Sequence, residues 1–330
     1  MAQLSVESTR GSIVESRHAV SVAVADVTGR LRAQAGNPHC FTYLRSAAKP
    51  FQAMPIITDS AAERFAITPE ELALACGSHN SEPEQVERVK RFLERIGCTE
   101  RDLACRPHRP LWRESTRLPE AERPAEAPRT PAASNCSGKH AAMLALARHH
   151  GWPVGGYHER GHPVQDRVRR ELVRFADVPE TEIGEGVDGC GVVAFAMPLS
   201  KLARAYAALV ASDETAACRV VEAMRSYPDL VAGRGRLCTG LMRGFPGSIA
   251  KVGAEGVYCA AFRHSGLALA LKVEDGSNQA AVVAVIHVLD QLGLEPRASQ
   301  ALPEFAEWPL TNTRGEPVGV MRTRGGLAFL

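Results

Sequence analysis

The chain has 330 residues, of which 45% are hydrophobic and 23% are charged, and its formal net charge is +2. This composition is typical of a folded globular protein and excludes whole-chain disorder, collagen and coiled coil. The near-neutral charge offers no electrostatic attraction to nucleic acid or to an anionic membrane, so we expect neither as a partner.

The cysteine pattern indicates a reducing compartment. Nine cysteines are scattered along the chain without a C-x-x-C motif, and their odd number argues against a complete disulfide framework. The first residues lack the apolar segment of a secretory signal, and no apolar run approaches the length of a membrane span. We therefore expect a cytoplasmic protein.

In chain order, the first predicted element is a β-hairpin over residues 16–35, in which a β-branched run precedes a turn. Thr68, Pro69 and Glu71 then form a helix start with an N-cap, a first-turn proline and a capping-box glutamate. Amphipathic spacing predicts further helices over 85–96, 139–150, 163–175, 199–211 and 215–225. The last third is predicted to hold three short strands and a long apolar helix, at 248–252, 257–262, 267–273 and 278–292.

This order of elements predicts an α+β fold in one domain over residues 1–330. Strands from both chain ends, at about 10–60 and 240–330, would form one antiparallel sheet flanked by helices, and about 61–239 would form a helix-rich middle lobe. A ligand site is expected in the cleft between sheet and lobe. The stretch 117–131, which has no periodicity, is either a plain surface connection or a lid.

Ser46 and Lys49 form an S-x-x-K motif. On a helix, positions i and i+3 share a face, so the lysine amine could take the proton of the serine hydroxyl. Pro50 disfavours the helical conformation at Lys49 and predicts an irregular turn at this point. The alternative is a helix-terminal serine beside a solvent-exposed lysine.

Two further motifs follow along the chain. Ser78 and Asn80 form an S-x-N whose hydroxyl and amide could relay a proton and orient a substrate, although the same loop could simply cap the next helix. Lys251 and Gly253 form a K-x-G on a predicted strand, where glycine allows a ligand to approach the backbone. The alternative is a lysine that protects a sheet edge. The three motifs occur in the order used by β-lactamases and penicillin-binding proteins, with different spacing and two changed letters.

Cys136 and Cys190 each lie in a polar, glycine-bearing turn. Cys136 opens a predicted helix with Lys139 close by, which favours the thiolate form that binds metals. Two cysteines with a nitrogen ligand would suit zinc and leave a position for water or substrate. The alternatives are two buried cysteines, or a nucleophilic pair of a cysteine with His140.

Two other motifs are weaker. Residues 158–162 read H-E-x-x-H, but neighbouring glycines and Pro163 place them in a loop, whereas the zinc-binding form of this motif needs a helix. Residues 233–236 read G-R-G-R, which indicates either a carboxylate-binding arginine turn or a flexible basic turn.

Together, the motifs resemble those of the rhizobial-type, or class 3, L-asparaginases. The matching segments cover nearly the whole chain, at 46–50, 76–83, 135–144, 162–165, 188–191, 227–239 and 251–256. The resemblance implies a fold like that of serine β-lactamases and glutaminases, and a homodimer. It also implies hydrolysis of the side-chain amide of L-asparagine to L-aspartate and ammonia through an acyl-enzyme.

By this resemblance, Ser46 is the nucleophile and Lys49 its base, while Ser78 and Lys251 form a second Ser–Lys pair that completes a proton relay. Zinc would be held beside the site, with water as the fourth ligand, by Cys136, Lys139 and Cys190. The residues expected to contact or orient the substrate are Asp188, Arg45, Asn80 and His140.

Three alternatives remain open. Another serine hydrolase, such as a glutaminase or a β-lactamase-like acyl hydrolase, would act on a different amide or ester. A zinc-stabilised binding protein would release no ammonia from any amide. A cysteine amidase using Cys136 or Cys190 would stay active without Ser46.

Overall fold

The computed structural model describes residues 2–111, 116–125 and 127–330. Its strands are β1 (Leu4–Arg10), β2 (Ile13–Asp26), β3 (Leu31–Ala35), β4 (Phe41–Tyr43), β5 (Gly184–Val187), β6 (Val193–Pro198), β7 (Ser248–Val252), β8 (Val257–Phe262), β9 (Leu267–Val273), β10 (Trp308–Thr311), β11 (Pro317–Gly325) and β12 (Ala328–Phe329). Its α-helices are α1 (Lys49–Ala53), α2 (Pro55–Thr58), α3 (Ala61–Arg64), α4 (Pro69–Ala75), α5 (Pro83–Arg95), α6 (Ser137–His150), α7 (Pro163–Ala176), α8 (Leu199–Ala211), α9 (Thr215–Ser226), α10 (Pro228–Val231), α11 (Leu237–Gly244), α12 (Asn278–Gln291) and α13 (Ala298–Ala301). Within the described ranges, no helix combines the length and the apolar composition that a membrane span requires.

Strands from both ends of the chain form the main sheet. Its order is β10-β11-β1-β2-β9-β8-β7, with β3 joining β2 and β12 joining β3, and these pairings are antiparallel. Val6 of β1 lies opposite Thr323 of β11, which places the first strand beside one of the last. The predicted α+β class and the sheet built from both chain ends are thereby confirmed.

The limits of the predicted segments differ from the observed ones. The amino-terminal strands run from Leu4 to Tyr43, and α1 and α2 occupy the end of the segment predicted as sheet-forming up to about residue 60. The helical middle also contains β5 and β6, and β6 pairs with both β4 and β5 in a separate small sheet. β5 carries Gly184 and Gly186 at alternate positions, and glycine weakens the pattern by which a strand is predicted.

The centre of the main sheet is covered on both faces. Residues 22–25 of β2 are fully buried, although successive side chains of a strand point to opposite faces. α8 packs against β2 and β9, and α12 packs against β9 and β11. α11 packs against β7 in the same way and so fixes the strand that carries Lys251.

Local sequence signals place several helices as predicted. Thr68 and Glu71 form the capping box that begins α4, with hydrogen bonds of 3.3 and 2.9 Å. Residues 158–162 form turns before α7 begins at Pro163, so the H-E-x-x-H letters do not lie on a helix. Of the predicted loop 117–131, Glu126 lies outside the described residues.

Gly138 allows α6 to approach α4 closely, and this contact generates a test of the packing. A Cβ atom at Gly138 would lie 2.3 Å from the carbonyl oxygen of Leu74, a backbone atom that cannot move aside. We expect Gly138→Ala to lower the free energy of unfolding by roughly 2 kcal/mol. Urea denaturation followed by circular dichroism measures this change.

Gly244→Ala is the matched control, because no heavy atom lies within 4 Å of a Cβ placed at that helical glycine. Equal denaturation midpoints for the two variants would contradict the close approach of α6 and α4.

Candidate active site

A cavity of about 420 Å³ lies where the main sheet meets the helical middle lobe. This volume is within the range of about 300–1,000 Å³ that small-molecule sites occupy. The polar part of its wall includes Ser46, Ser78, Asn135 and Arg236, and Trp308 contributes to the apolar part. The cavity therefore lies in the cleft that the order of elements predicts.

Ser46 lies in a 3₁₀ turn, Arg45–Ala48, between β4 and α1. Arg45 has a φ of 50°, in the left-handed region, which costs a non-glycine residue about 1–3 kcal/mol and is concentrated at functional sites. The hydroxyl of Tyr206 donates to the carbonyl of Ala47 at 2.7 Å and holds the turn. Ser46 lines the cavity, and its hydroxyl forms no hydrogen bond with the described residues.

Lys49 is fully buried and donates to three oxygen atoms. Its Nζ lies 2.5 Å from the carbonyl of Gly77, 2.9 Å from Oγ of Ser78 and 3.3 Å from the carbonyl of Asn135. Three acceptors match the three hydrogens of an ammonium group, whereas a neutral amine would donate to two of them and keep a lone pair. Lys49 is thus directed to Ser78 in this structure, although its predicted partner in sequence is Ser46.

Lys251 approaches the same serine from the edge strand β7. Its Nζ lies 2.9 Å from Oγ of Ser78 and 2.9 Å from the carbonyl of Val252. Burial lowers the pKa of Lys49, and burial together with the charge of Lys49 lowers the pKa of Lys251 well below its ordinary value. The neutral amine that this favours is the form that accepts a proton from a hydroxyl.

Ser78 is held in place by its backbone. Its N–H donates to the carbonyl of Val231 at 2.7 Å, and Nη1 of Arg236 donates to its carbonyl at 2.7 Å. The preceding Gly77 permits this contact, because a Cβ there would lie 2.6 Å from the carbonyl oxygen of Leu230. The glycine of the Cys-Gly-Ser sequence at 76–78 thus has a steric basis.

Three of the residues predicted to contact substrate bond to other groups of the protein in this structure. Asn80 is fully buried, and its amide donates to Glu82 at 3.2 Å and to the carbonyl of Arg234 at 3.4 Å, so it anchors the turn at 233–236. Arg45 and Asp188 form an ion pair of 3.0 Å. Burial raises the pKa of Asp188, but Lys139 and Arg45 lower it further, and the net pKa is below its ordinary value.

His140 is buried away from the solvent. Its Nδ1 lies 2.6 Å from the hydroxyl of Tyr157, and its Nε2 has no partner among the described residues. Burial, together with the charge of Lys139, lowers the pKa of His140 well below its ordinary value, so the ring is neutral.

Cys136, Lys139 and Cys190 come together although Cys190 is far from the other two in sequence. Nζ of Lys139 lies 3.1 Å from Sγ of Cys190, and the Cys136 thiol donates to the same sulfur. That hydrogen bond lowers the pKa of Cys190 to about 5, and Lys139 contributes. The described residues hold no group of three or more His, Cys, Asp and Glu side chains suited to a metal. A metal here would therefore have two sulfur donors and one amine, a set compatible with zinc once the amine is deprotonated.

His108 contacts Asn135 of the cavity wall and was not identified from the sequence. Its Nε2 lies 2.6 Å from Oδ1 of Asn135, the residue whose carbonyl accepts from Lys49. His108 lies in a stretch without periodicity or a chemical motif, so nothing local marks it. The orientation of Arg236 towards Ser78 is likewise a product of folding, although the G-R-G-R turn does mark the residue.

The sequence matches a family of hydrolases. The family profile described as L-asparaginase II matches residues 6–323. The chain therefore belongs to the L-asparaginase II family, whose members are hydrolases that act on amide bonds of a small-molecule substrate. A comparison with curated protein sequences gives no match.

Several solved structures resemble the chain at low identity. A β-lactamase from Mycobacterium bovis is 15% identical over 79% of this chain and 89% of its own, with a TM-score of 0.38. A protein named Mglu is 17% identical over 83% of this chain and 65% of its own, with a TM-score of 0.48. Unliganded simvastatin synthase from Aspergillus terreus is 10% identical over 87% of this chain and 91% of its own, with a TM-score of 0.35. The family assignment rests on the sequence profile.

His79, between Ser78 and Asn80, generates a prediction about pH. Its Nδ1 accepts from the N–H of Ser81 at 3.1 Å, so its Nε2–H donates to Ser137 at 2.8 Å and the ring is neutral. Burial lowers the pKa of His79 to about 3. Because the unfolded chain binds this proton near pH 6.5, folding stability falls as the pH decreases below that value, by about 1.4 kcal/mol per pH unit.

Between about pH 6 and pH 4, we expect His79→Gln to reduce the slope of unfolding free energy against pH by about 1.4 kcal/mol per pH unit. This is the contribution of the one proton that His79 takes up on unfolding. Urea denaturation at several pH values measures the slope. His264→Gln is the control, because His264 is exposed. A slope unchanged by His79→Gln would show that His79 is protonated in the folded protein.

Proposed function

We propose that the chain hydrolyses the side-chain amide of L-asparagine to L-aspartate and ammonia through a Ser–Lys nucleophile and an acyl-enzyme. The observation that carries this proposal is the placement of two buried lysine amines, each 2.9 Å from the hydroxyl of Ser78, at a cavity that also exposes Ser46. Amide hydrolysis needs a nucleophile and a proton donor for the leaving ammonia, and a Ser–Lys couple supplies both in turn.

Ser46 is the proposed nucleophile. Its hydroxyl has no partner among the described residues and is half-buried at the cavity wall, whereas Ser78 is 2% exposed and is held between two amines. Lys49 is the proposed base for Ser46, since catalytic hydrogen bonds are often long or poorly aligned before substrate binds. Ser78 connects Lys49 to Lys251 and would pass protons between them.

The proposed reaction has two halves. Oγ of Ser46 attacks the amide carbon, and its proton enters the Lys49–Ser78–Lys251 chain. The same chain returns a proton to the amide nitrogen as the C–N bond breaks, so that ammonia leaves and an ester on Ser46 remains. Water then attacks the ester, gives its proton to the same chain, and releases L-aspartate as Ser46 is protonated again.

Ammonia release from L-asparagine and L-glutamine, at equal concentration in parallel, tests this function. We expect release from L-asparagine, and a loss of at least about 10³-fold in Ser46→Ala. Mass spectrometry of acid-quenched reactions should place the acyl group on the peptide that holds Ser46. An acyl group on Ser78 would reverse the roles of the two serines.

Ser8→Ala is the matched control. Ser8, His18 and Asp275 form a Ser–His–Asp chain with distances of 3.0 and 2.6 Å, and none of the three lines the cavity. Loss of activity in Ser8→Ala with Ser46→Ala active would assign the reaction to a different site. Release mainly from L-glutamine would overturn the substrate, and no release from either amide by folded, zinc-replete protein would overturn the enzyme assignment.

We further propose that Cys136, Lys139 and Cys190 hold a zinc ion. Zinc would supply a Lewis acid that polarises or anchors polar groups of the substrate. The support is the convergence of two sulfurs and an amine from α6 and the turn after β5. Asp188, in the same turn, would orient the substrate beside the ion.

The zinc content of the purified protein tests this ligand set. We expect about one zinc per chain by inductively coupled plasma mass spectrometry, and its loss in Cys190→Ala. Cys218→Ala is the control, because Cys218 lies on α9 and donates its thiol to the carbonyl of Ser212, in the connection before that helix. Equal zinc in both variants would contradict the proposed ligands.

A further inference from the structure

Arg236 is a buried cation without a carboxylate partner. Its side chain lines the cavity, and the residue is 6% exposed. No Asp or Glu of the described chain lies within ion-pair distance of it, and none is among the described residues that line the cavity. A buried charge is costly unless it is paired, so the pairing group is expected to come from outside the chain.

Two other arginines near the site have such partners, and a third, Arg117, is half-buried and stacks on the ring of Trp308 at 4.7 Å. Arg234, two residues earlier in the same turn, is half-exposed and pairs with Glu82 at 3.2 Å. Arg45 pairs with Asp188 at 3.0 Å. The contrast singles out Arg236 as the arginine of this region that is buried and unpaired within the described chain.

The hydrogen bonds of Arg236 leave one edge of its guanidinium free. Nη1 donates to the carbonyls of Ser78 and Ala232 at 2.7 and 3.2 Å, and to Oδ1 of Asn80 at 3.5 Å. Nε and Nη2 donate to no described residue, and neither belongs to the buried atoms that lack a partner. The Nε–Nη2 edge is the one that binds a carboxylate side-on through two parallel hydrogen bonds.

The amino end of α12 lies at the same cavity. Ser277, Asn278 and Gln279 line it. The amino end of a helix carries a partial positive charge, which Asp275 partly offsets here because its carboxylate accepts from the N–H of Ser277 at 3.0 Å. The cation of Arg236 is therefore the feature of the wall that favours an anion.

We infer that Arg236 binds the α-carboxylate of the substrate and so restricts the enzyme to free amino acids with a side-chain amide. This inference rests on the proposed function and names a residue for substrate selection. Arg236 would bind the substrate carboxylate through Nε and Nη2, while its Nη1 donates to the carbonyl of Ser78. The same side chain would therefore position both the substrate and a member of the proton relay.

The test compares two substrates that differ only in the carboxylate. 3-Aminopropanamide is L-asparagine without its α-carboxylate. For the wild-type protein, we expect kcat/KM for ammonia release to be about 10²-fold higher with L-asparagine. In Arg236→Gln, we expect that advantage to fall to within a few-fold of one, because L-asparagine loses its partner and 3-aminopropanamide has none to lose.

Arg234→Gln is the matched control and should keep the wild-type ratio. If Arg236→Gln does not fold, Arg236→Lys takes its place, because lysine keeps the charge and removes the pair of parallel N–H donors. Arg236→Lys should lose activity on L-asparagine and not on 3-aminopropanamide. Equal losses on both substrates would overturn the inference and leave Arg236 a positioning role through Ser78. A wild-type ratio near one would also overturn it. Absence of activity on both substrates would instead defeat the proposed function itself.

Discussion

The site depends on one interaction, the sharing of a single serine hydroxyl by two buried lysine amines. Ser78 accepts from Lys49 and lies at the same distance from Lys251, and both amines are fully buried. Two adjacent ammonium groups without a counter-ion repel each other in a low-dielectric interior, so at least one of them is held neutral. A neutral amine is therefore held at the site although no carboxylate of the described residues pairs with either lysine.

The fold brings these two lysines together from distant parts of the chain. Lys49 follows β4 and begins α1, whereas Lys251 lies on β7, about two hundred residues later. Neither local pattern contains the other lysine, and the two come to Ser78 only in the fold, where the turn Arg45–Ala48 packs against β7. The loop after α4 then inserts Ser78 between them, and the absence of a side chain at Gly77 allows that insertion.

The predictability of each part follows from the range of the interactions that create it. The strands at 248–252, 257–262 and 267–273 were predictable because their periodicity is local, and the start of α4 because Thr68 and Glu71 interact only with each other. The pairing of Lys49 with Ser78 was not, because the S-x-x-K spacing points to Ser46. The S-x-N pattern predicts that Asn80 orients the substrate, but tertiary contacts direct its amide to Glu82 and the turn at 233–236. His108 carried no motif at all.

The charges around the cavity are divided between two sides. On one side Arg45 and Asp188 neutralise each other, and Lys139 lies against the sulfur of Cys190. On the other side Arg236, Lys49 and Lys251 have no carboxylate partner among the described residues. In the proposed reaction this imbalance serves two steps. It attracts the carboxylate of the substrate, and it stabilises the negative oxygen that forms when a serine attacks the amide, where preorganised positive charge lowers the barrier most. The cost of burying unpaired cations in the free enzyme is thereby recovered when the substrate is bound and the transition state forms.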